Sequence, residues 1–245
     1  MAARVDVGSS MNLTPPRMLV INPNSNQAVT GKIREVVGSV DLAGCDVDVT
    51  HPAGAPHAIA TPEDRQAVEP DVVAMVQAAH AAGATGFVLA CFDDIGVHAS
   101  RLLVEGPVID ASEAGFIEIQ RSARRFSVVT TFQGAVERIS ALAEKQGVEG
   151  LCSVRAAGID VGDAISGKGL AMLLETVSHT IIQDNPDAIL LGSGGYAGLS
   201  ERVARHAKLP IVDGVAAAIK LCCGSLAGRN ADRKMHGFVS GTEHS

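Results

Sequence analysis

The sequence predicts an α/β protein composed of two similar domains, each built around a parallel sheet. Short apolar runs that end in polar or glycine-rich residues alternate with stretches of helical periodicity, and this alternation is typical of βα units. Three strand candidates of the first half also recur in the same order in the second half, about 102 to 108 residues later. A chain of 245 residues accommodates one large domain or two ordinary ones, and the repeat favours two.

The first half begins with the strand candidate Met18–Ile21, which runs into the polar segment Asn22–Asn24. Apolar residues then return at helical spacing, which predicts a helix with one buried face: Val29, Ile33, Val36 and Val37. The next strand candidate, Gly86–Cys91, follows a second helical stretch that ends near Gly83, a typical C-cap residue. This buried strand is predicted to end in a cysteine.

The second half repeats these elements, including a helix with Val136, Ile139, Leu142 and Ala143 on its inner face. Cys91 and Ser193 stand 102 positions apart and end equivalent strand candidates. The matching polar residues after each strand favour an internal duplication over the alternative that α/β strands resemble one another by chance. The equivalent segments are Met18–Ile21 with Phe126–Thr131, Gly86–Cys91 with Ala188–Ser193, and Gly106–Asp110 with Leu209–Asp213.

The repeat predicts two Rossmann-like domains related by pseudo-two-fold symmetry. Residues 1–17 are predicted to form a flexible tail, residues 18–110 plus 214–245 the first domain, and residues 111–213 the second. Ligands of open α/β sheets bind at the carboxyl ends of the strands, so the active site is expected in the cleft between the domains. Cys91 and Ser193 would then approach this cleft from opposite sides.

Composition excludes several function classes. The formal net charge is -7 and no basic stripe occurs, which argues against binding to nucleic acid or to an anionic membrane surface. No apolar run is long enough to span a membrane, and the N-terminal segment lacks the pattern of a signal peptide. Because nucleic acid and membranes are disfavoured, the partner is expected to be a small molecule. The five cysteines are odd in number and lack CxxC spacing, so a reducing, cytoplasmic setting is predicted.

Cys91 is the strongest candidate for chemistry because it lies where a buried strand becomes a loop. A free thiol has a pKa near 8.5, which a helix N-terminus or a pocket rich in backbone N–H groups lowers, so Cys91 is a candidate base for a carbon acid. The other cysteines are interpreted as core or surface residues. The eight histidines show no HxxxH or HxH spacing, so no metal is expected.

Polar groups after the other strands are candidates for substrate binding. Gly194 belongs to a glycine-rich loop whose backbone amides could hold an imide or carboxylate oxygen. Its spacing fits neither a Walker A loop nor a nucleophile elbow. Asn24 offers donors at the first strand end, although a role in a turn or helix cap fits equally well. Thr130 and Thr131 are its counterparts in the second half.

An ordered set of motifs between residues 18 and 225 resembles the hydantoin and allantoin racemases of the aspartate/glutamate racemase superfamily. The motifs are Val20–Asn24, Leu89–Asp93, Phe126–Thr131, Ala156–Gly158, Leu191–Gly195 and Pro210–Ala218. The resemblance implies a cofactor-independent isomerase, a homo-oligomer, with one cysteine from each domain flanking C5 of a 5-substituted hydantoin or of allantoin. One thiolate removes the C5 proton and the opposite thiol returns one to the other face. Asn24 and Thr131, with the amides around Phe92 and Gly194, are the expected holders of the developing enolate, and Thr130 is a further candidate for binding a substrate oxygen.

Ser193 departs from the family pattern, which has a cysteine there. A serine hydroxyl is a far weaker acid than a thiol, so symmetric two-base racemisation is expected to fail in this chain. The chain is then either an engineered Cys→Ser variant or a natural one-cysteine relative. The one-cysteine reading brings it nearer to the arylmalonate decarboxylases, or to an isomerase of small dicarboxylates. A third alternative is a catalytically silent protein that binds the ligand.

Overall fold

The computed structural model describes residues 14–160, 163–164 and 166–239, without the side chains of 230–239. Most of the predicted tail, residues 1–13, and the C-terminal residues 240–245 lie outside this description. The strands are β1 (Arg17–Ile21), β2 (Asp46–Thr50), β3 (Gly86–Leu89), β4 (Val108–Asp110), β5 (Phe126–Thr130), β6 (Leu151–Ala156), β7 (Ala188–Leu191) and β8 (Ile211–Asp213). The helices are α1 (Gln27–Ser39), α2 (Pro62–Ala81), α3 (Val97–Leu103), α4 (Ala111–Ser122), α5 (Gly134–Lys145), α6 (Gly167–Asp184), α7 (Ser200–Ala207) and α8 (Gly214–Val239).

The strands form two four-stranded parallel sheets with the same topology. The first has the order β2-β1-β3-β4 and the second the order β6-β5-β7-β8. Each strand of the second sheet thus occupies the same place as its counterpart in the first sheet. The predicted fold class, two similar α/β units with parallel sheets, is therefore confirmed.

Some boundaries differ from those predicted. β1 begins at Arg17, which the prediction had assigned to the tail. β3 ends at Leu89, so Cys91 follows the strand instead of ending it, because the Cys91 amide turns back to bond the Leu89 carbonyl at 2.9 Å. The edge strands β2 and β6 were not among the predicted strands, because they are half exposed and lack a continuous buried apolar run.

One hydrophobic cluster contains buried residues from both sheets. Its members come from inner strands and from helices of both halves, and are fully or almost fully buried: Val20, Val88, Phe116, Phe126, Val128, Leu190 and Ile219. Burying a side chain of this size stabilises the fold by about 1.5 to 3 kcal/mol, so the shared cluster strongly favours a fixed arrangement of the two sheets.

The helices α4 and α8 begin directly after the last strand of each sheet. Asp110 ends β4 and its carboxylate accepts hydrogen bonds from the Ser112 and Glu113 amides at the start of α4. Asp213 ends β8 and caps α8 through the Val215 and Ala216 amides. α4 packs against β7 and β8, α8 packs against β3 and β4, and the two helices contact each other. Each helix therefore crosses from its own strand to the opposite sheet.

Candidate active site

A small cavity of about 50 Å³ lies where loops from both sheets meet, beyond the carboxyl ends of the inner strands. It brings together all seven residues that the sequence singled out: Asn24, Cys91, Phe92, Thr130, Thr131, Ser193 and Gly194. Ligand pockets for drug-sized molecules usually measure about 300 to 1,000 Å³, so this cavity suits only a very small ligand or opens further to admit one. The other lining residues are Ile59, Ala90, Asp93, Phe132, Ala135, Arg138 and Gly192.

Cys91 is half-buried in this cavity, on the side of the first sheet. Burial raises the pKa of its thiol well above the ordinary value, and the nearby Asp93 carboxylate raises it further. The Arg138 and Arg65 guanidinium groups act in the opposite direction without overcoming burial. The expectation of a lowered thiol pKa is therefore wrong. The thiol is neutral near pH 7 because protein atoms and carboxylates surround it instead of a helix N-terminus.

Ser193 also lines this cavity, two residues after the end of β7 in the second sheet. Its hydroxyl oxygen accepts a hydrogen bond from the Gly195 amide at 3.2 Å, which caps the short 3-10 helix Gly194–Tyr196. The Thr131 hydroxyl donates to the same oxygen at 3.4 Å. Among the described residues, no histidine or lysine side chain hydrogen-bonds this hydroxyl, so nothing there activates it as a base.

Asn24 belongs to a buried network of asparagines after β1. Its side-chain oxygen accepts hydrogen bonds from Asn22 Nδ2 at 2.9 Å and from the Asn26 amide at 3.0 Å. These bonds fix the side-chain amide, whose nitrogen makes no hydrogen bond to any described residue. The cap of α1 is supplied by Asn26, not by Asn24. The Asn24 nitrogen is thus available as a donor to a ligand in the cavity.

The two threonines at the end of β5 differ in their hydrogen bonds. Thr130 Oγ1 donates to the Gly192 carbonyl at 2.8 Å, and the Tyr196 hydroxyl donates to the Thr130 carbonyl at 3.2 Å. The Thr130 hydroxyl proton is thereby used to connect β5 with the loop after β7. Within the described part of the chain, the Thr131 hydroxyl has only the long contact to Ser193, so it can rotate toward a ligand at little cost.

Phe92 and Gly194 lie at the contact between the two halves. The Phe92 ring packs against Gly115 and Gly214, and a Cβ atom on Gly214 would lie 2.4 Å from Phe92 Cε2. A Cβ atom on Gly194 would lie 2.7 Å from the carbonyl oxygen of Ala90. Because real Cβ atoms do not approach so closely, both positions require glycine. The loop that carries Cys91 therefore contacts the loop that carries Ser193.

The sequence interpretation missed an ion-pair cluster beside Cys91. Asp93 is 3% exposed and pairs with Arg65 of α2 at 2.8 Å and with Arg138 of α5 at 3.4 Å. Burial raises the pKa of the Asp93 carboxyl, and both guanidinium groups oppose that rise. The place of Asp93 two residues after Cys91 was a signal for a role in the site. The arginines, in contrast, belong to two separate helices whose approach only the fold reveals.

Two classes of site have no support in the described part of the chain. No group of three or more His, Cys, Asp or Glu side chains is arranged there to hold a metal ion. Within the same residues, every helix is too short or too polar to cross a membrane.

Known racemases resemble this chain in sequence and in fold. A family model described as Asp/Glu/Hydantoin racemase matches residues 18–222. A hydantoin racemase of Rhizobium meliloti is 32% identical over 223 residues, which are 90% of this chain and 92% of that protein. The structure of an allantoin racemase from Klebsiella pneumoniae matches with a TM-score of 0.82 and 31% identity, over 88% of this chain and 89% of that one. An arylmalonate decarboxylase structure shares the fold at a TM-score of 0.63 and 19% identity, over 85% and 93% of the two chains.

Proposed function

The chain belongs to the Asp/Glu/Hydantoin racemase family, and from this premise we propose that it exchanges the C5 proton of 5-substituted hydantoins or of allantoin without a cofactor. One observation carries the proposal. Cys91 and Ser193 follow equivalent strands of the two sheets and line one cavity, which matches the arrangement expected of two opposed acid/base groups.

The C5 atom of a hydantoin is a carbon acid because the enolate left after proton removal is stabilised by the adjacent carbonyl group. Cys91 is proposed to remove this proton as a thiolate, or to deliver one as a thiol, on its own face of the ring. Its raised pKa makes delivery the easier direction, since the thiol predominates near pH 7. Asn24 Nδ2, the Thr131 hydroxyl and the backbone amides around Phe92 and Gly194 are proposed to hold the enolate oxygen.

Ser193 is proposed to occupy the place of the second cysteine. Its hydroxyl cannot supply a base near neutral pH, so proton exchange on the opposite face should be blocked while the site keeps its shape. This holds whether the chain is an engineered Cys→Ser variant or a natural one-cysteine relative. In either case the two-cysteine reaction should be recovered by Ser193→Cys.

The test follows one enantiomer of 5-methylhydantoin, and of allantoin, in D2O by polarimetry and by loss of the C5–H signal. Ser193→Cys is expected to increase the enzymatic racemisation rate by about 100-fold or more, because one missing acid/base group costs about 10²- to 10⁴-fold. Adding Cys91→Ala to this variant should remove the gain. Equal rates for the chain and for Ser193→Cys, measured above the spontaneous background, would contradict the two-base scheme.

A second candidate function is favoured by the presence of a single thiol in the cavity. With Cys91 alone as proton donor, the chain could decarboxylate a substituted malonate or isomerise a small dicarboxylate. Release of carbon dioxide from 2-methyl-2-phenylmalonate would support this candidate over the racemase. Deuterium incorporation into one enantiomer of 5-methylhydantoin without loss of optical rotation would instead support one-sided exchange by Cys91. Binding of hydantoin with neither reaction would support a silent ligand-binding protein.

Two further expectations stand as proposals. The packing of α8 against β3 and β4 supports assigning residues 18–110 plus 214–245 to one domain and 111–213 to the other. We also propose a cytoplasmic homo-oligomer, as the family resemblance implies, and sedimentation velocity of the full chain would test its subunit number.

A further inference from the structure

The ion pair between Asp93 and Arg138 is incomplete at the cavity wall. The Asp93 side chain is 5% exposed, and its Oδ2 lies 3.4 Å from Arg138 Nε without the geometry of a hydrogen bond. Both atoms are buried, and neither has a hydrogen-bond partner among the described residues. A buried polar atom without a partner has lost its hydrogen bonds to water without replacement, which destabilises the fold. Two such atoms side by side therefore call for an explanation.

The surrounding contacts hold both groups in place. Arg65 Nη2 pairs with the other carboxylate oxygen, Asp93 Oδ1, at 2.8 Å. The guanidinium group of Arg138 lies 5.6 Å above the centre of the Phe132 ring, within the range of a cation–π contact. Asp93, Arg138 and Phe132 line the same cavity as Cys91. The two side chains that carry the unpartnered acceptor and donor thus belong to the wall where a ligand would bind.

An acceptor and a donor side by side complement the edge of a cyclic amide. Such an edge presents an N–H donor beside a C=O acceptor, and a hydantoin ring carries it more than once. We propose that Asp93 Oδ2 accepts a hydrogen bond from a ring N–H of the substrate while Arg138 Nε donates to the adjacent carbonyl oxygen. This inference rests on the proposed function and makes Asp93 and Arg138 the residues that select a cyclic ureide whose ring nitrogen carries a hydrogen.

Two other classes of carbon acid fit this wall less well. A lactone has the carbonyl oxygen but lacks the N–H group, so Asp93 Oδ2 would stay unpartnered. A malonate dianion carries only acceptor oxygens, so it too would leave Asp93 Oδ2 without a donor. Sites that hydrogen-bond a substrate group reject analogues that lack the group. Asp93 and Arg138 therefore distinguish a ring that has the N–H group from one that lacks it, and not only small ligands from large ones.

The test measures binding of 5-methylhydantoin and of its 1-methyl and 3-methyl derivatives to the full chain by titration calorimetry. The chain should bind the parent compound about 10- to 100-fold more tightly than at least one N-methyl derivative, as expected for a hydrogen bond to a charged group. Asp93→Asn should weaken binding of the parent and reduce this ratio to a few-fold. An unchanged ratio in Asp93→Asn, or no discrimination by the unaltered chain, would overturn the proposal.

The neighbouring Asp94 provides a matched control. Its carboxylate pairs with Arg65 at 3.1 Å and with Lys145 at 2.8 Å, and it does not line the cavity. Asp94→Asn should retain the full ratio. A merely structural role of Asp93 would weaken the parent and its derivatives equally, which leaves the ratio unchanged and counts against the proposal.

A second variant keeps the test decisive if Asp93→Asn does not fold. Arg138→Lys retains a positive charge near Asp93 but removes the fixed Nε donor, so affinity for the parent should fall about tenfold. Unchanged affinity would contradict the proposed role of Arg138. A chain that binds no hydantoin at all would contradict the proposed function itself. Binding without N–H discrimination contradicts only the roles of Asp93 and Arg138.

Discussion

A Cβ atom on Gly194 would lie 2.7 Å from the carbonyl oxygen of Ala90, so the loops after β3 and β7 meet at a point that admits no side chain. Gly194→Ala must therefore push the two loops apart. We expect the free energy of unfolding to fall by about 1 to 3 kcal/mol, the usual cost of overpacking. Binding of 5-methylhydantoin should weaken as well, because Cys91 and Ser193 shift relative to each other.

Gly31 provides the control for this substitution. It lies inside α1, and a Cβ atom there would meet no atom within 4 Å. Gly31→Ala should raise the free energy of unfolding by about 0.5 to 1 kcal/mol, as replacement of a helical glycine commonly does. Chemical denaturation of both variants measures the difference, and a Gly194→Ala protein as stable as Gly31→Ala would refute the steric argument.

Thr130 and Thr131 are predicted to respond differently to replacement by valine. Thr130→Val removes a buried 2.8 Å hydrogen bond to the Gly192 carbonyl, which should lower the free energy of unfolding by about 0.5 to 1.5 kcal/mol. Among the described residues, Thr131→Val removes only the 3.4 Å contact to Ser193, so the free energy of unfolding should fall less than in Thr130→Val while hydantoin binding weakens. Denaturation and calorimetry on the same samples would show whether the two effects separate in this way.

The sheets could be predicted because the inner strands leave a strong signal. β3 and β7 are buried along their whole length and are continuous apolar runs in the sequence, whereas the equally buried β5 also contains Ser127 and Thr130. The edge strand β2 reads Asp-Val-Asp-Val-Thr and remains partly exposed, so its pattern does not stand out from a loop. The packing of α4 and α8 against the opposite sheet could not be predicted, because local periodicity does not show which sheet a helix contacts.

Site residues at equivalent positions of the two halves could be predicted from the sequence, whereas those brought together by helix packing could not. Cys91 and Ser193 were identified because they occupy equivalent places in two similar halves. Arg65 and Arg138 carry no such mark, since each is one charged residue on an amphipathic helix. Their meeting at Asp93 depends on how α2 and α5 pack. The raised pKa of the Cys91 thiol escaped prediction for the same reason, because burial is its largest cause.

Asp213 is predicted to stabilise the loop beside Ser193 as well as its own helix. One carboxylate oxygen caps α8 through Val215, and the other accepts a 2.6 Å hydrogen bond from the Gly198 amide. Asp213→Ala should lower the free energy of unfolding by about 1 to 3 kcal/mol and increase amide hydrogen exchange in residues 194–198. Asp110→Ala removes the equivalent cap of α4 and serves as control. A similar loss of protection at 194–198 in both variants would show that Asp213 has no special role in this loop.

Alkylation of Cys91 by iodoacetamide should be slow near pH 7 and accelerate as the pH rises. The thiolate is the reactive form, and below the thiol pKa its fraction grows about tenfold per pH unit. Asp93 raises this pKa and Arg138 lowers it, so the two charges act with opposite signs. Asp93→Asn should therefore accelerate alkylation at about pH 8, several-fold, whereas Arg138→Gln should slow it. Peptide mass spectrometry resolves the modified Cys91 from the other cysteines and yields each rate. If both variants change the rate in the same direction, access to the cavity controls the reaction and the electrostatic account of Cys91 fails.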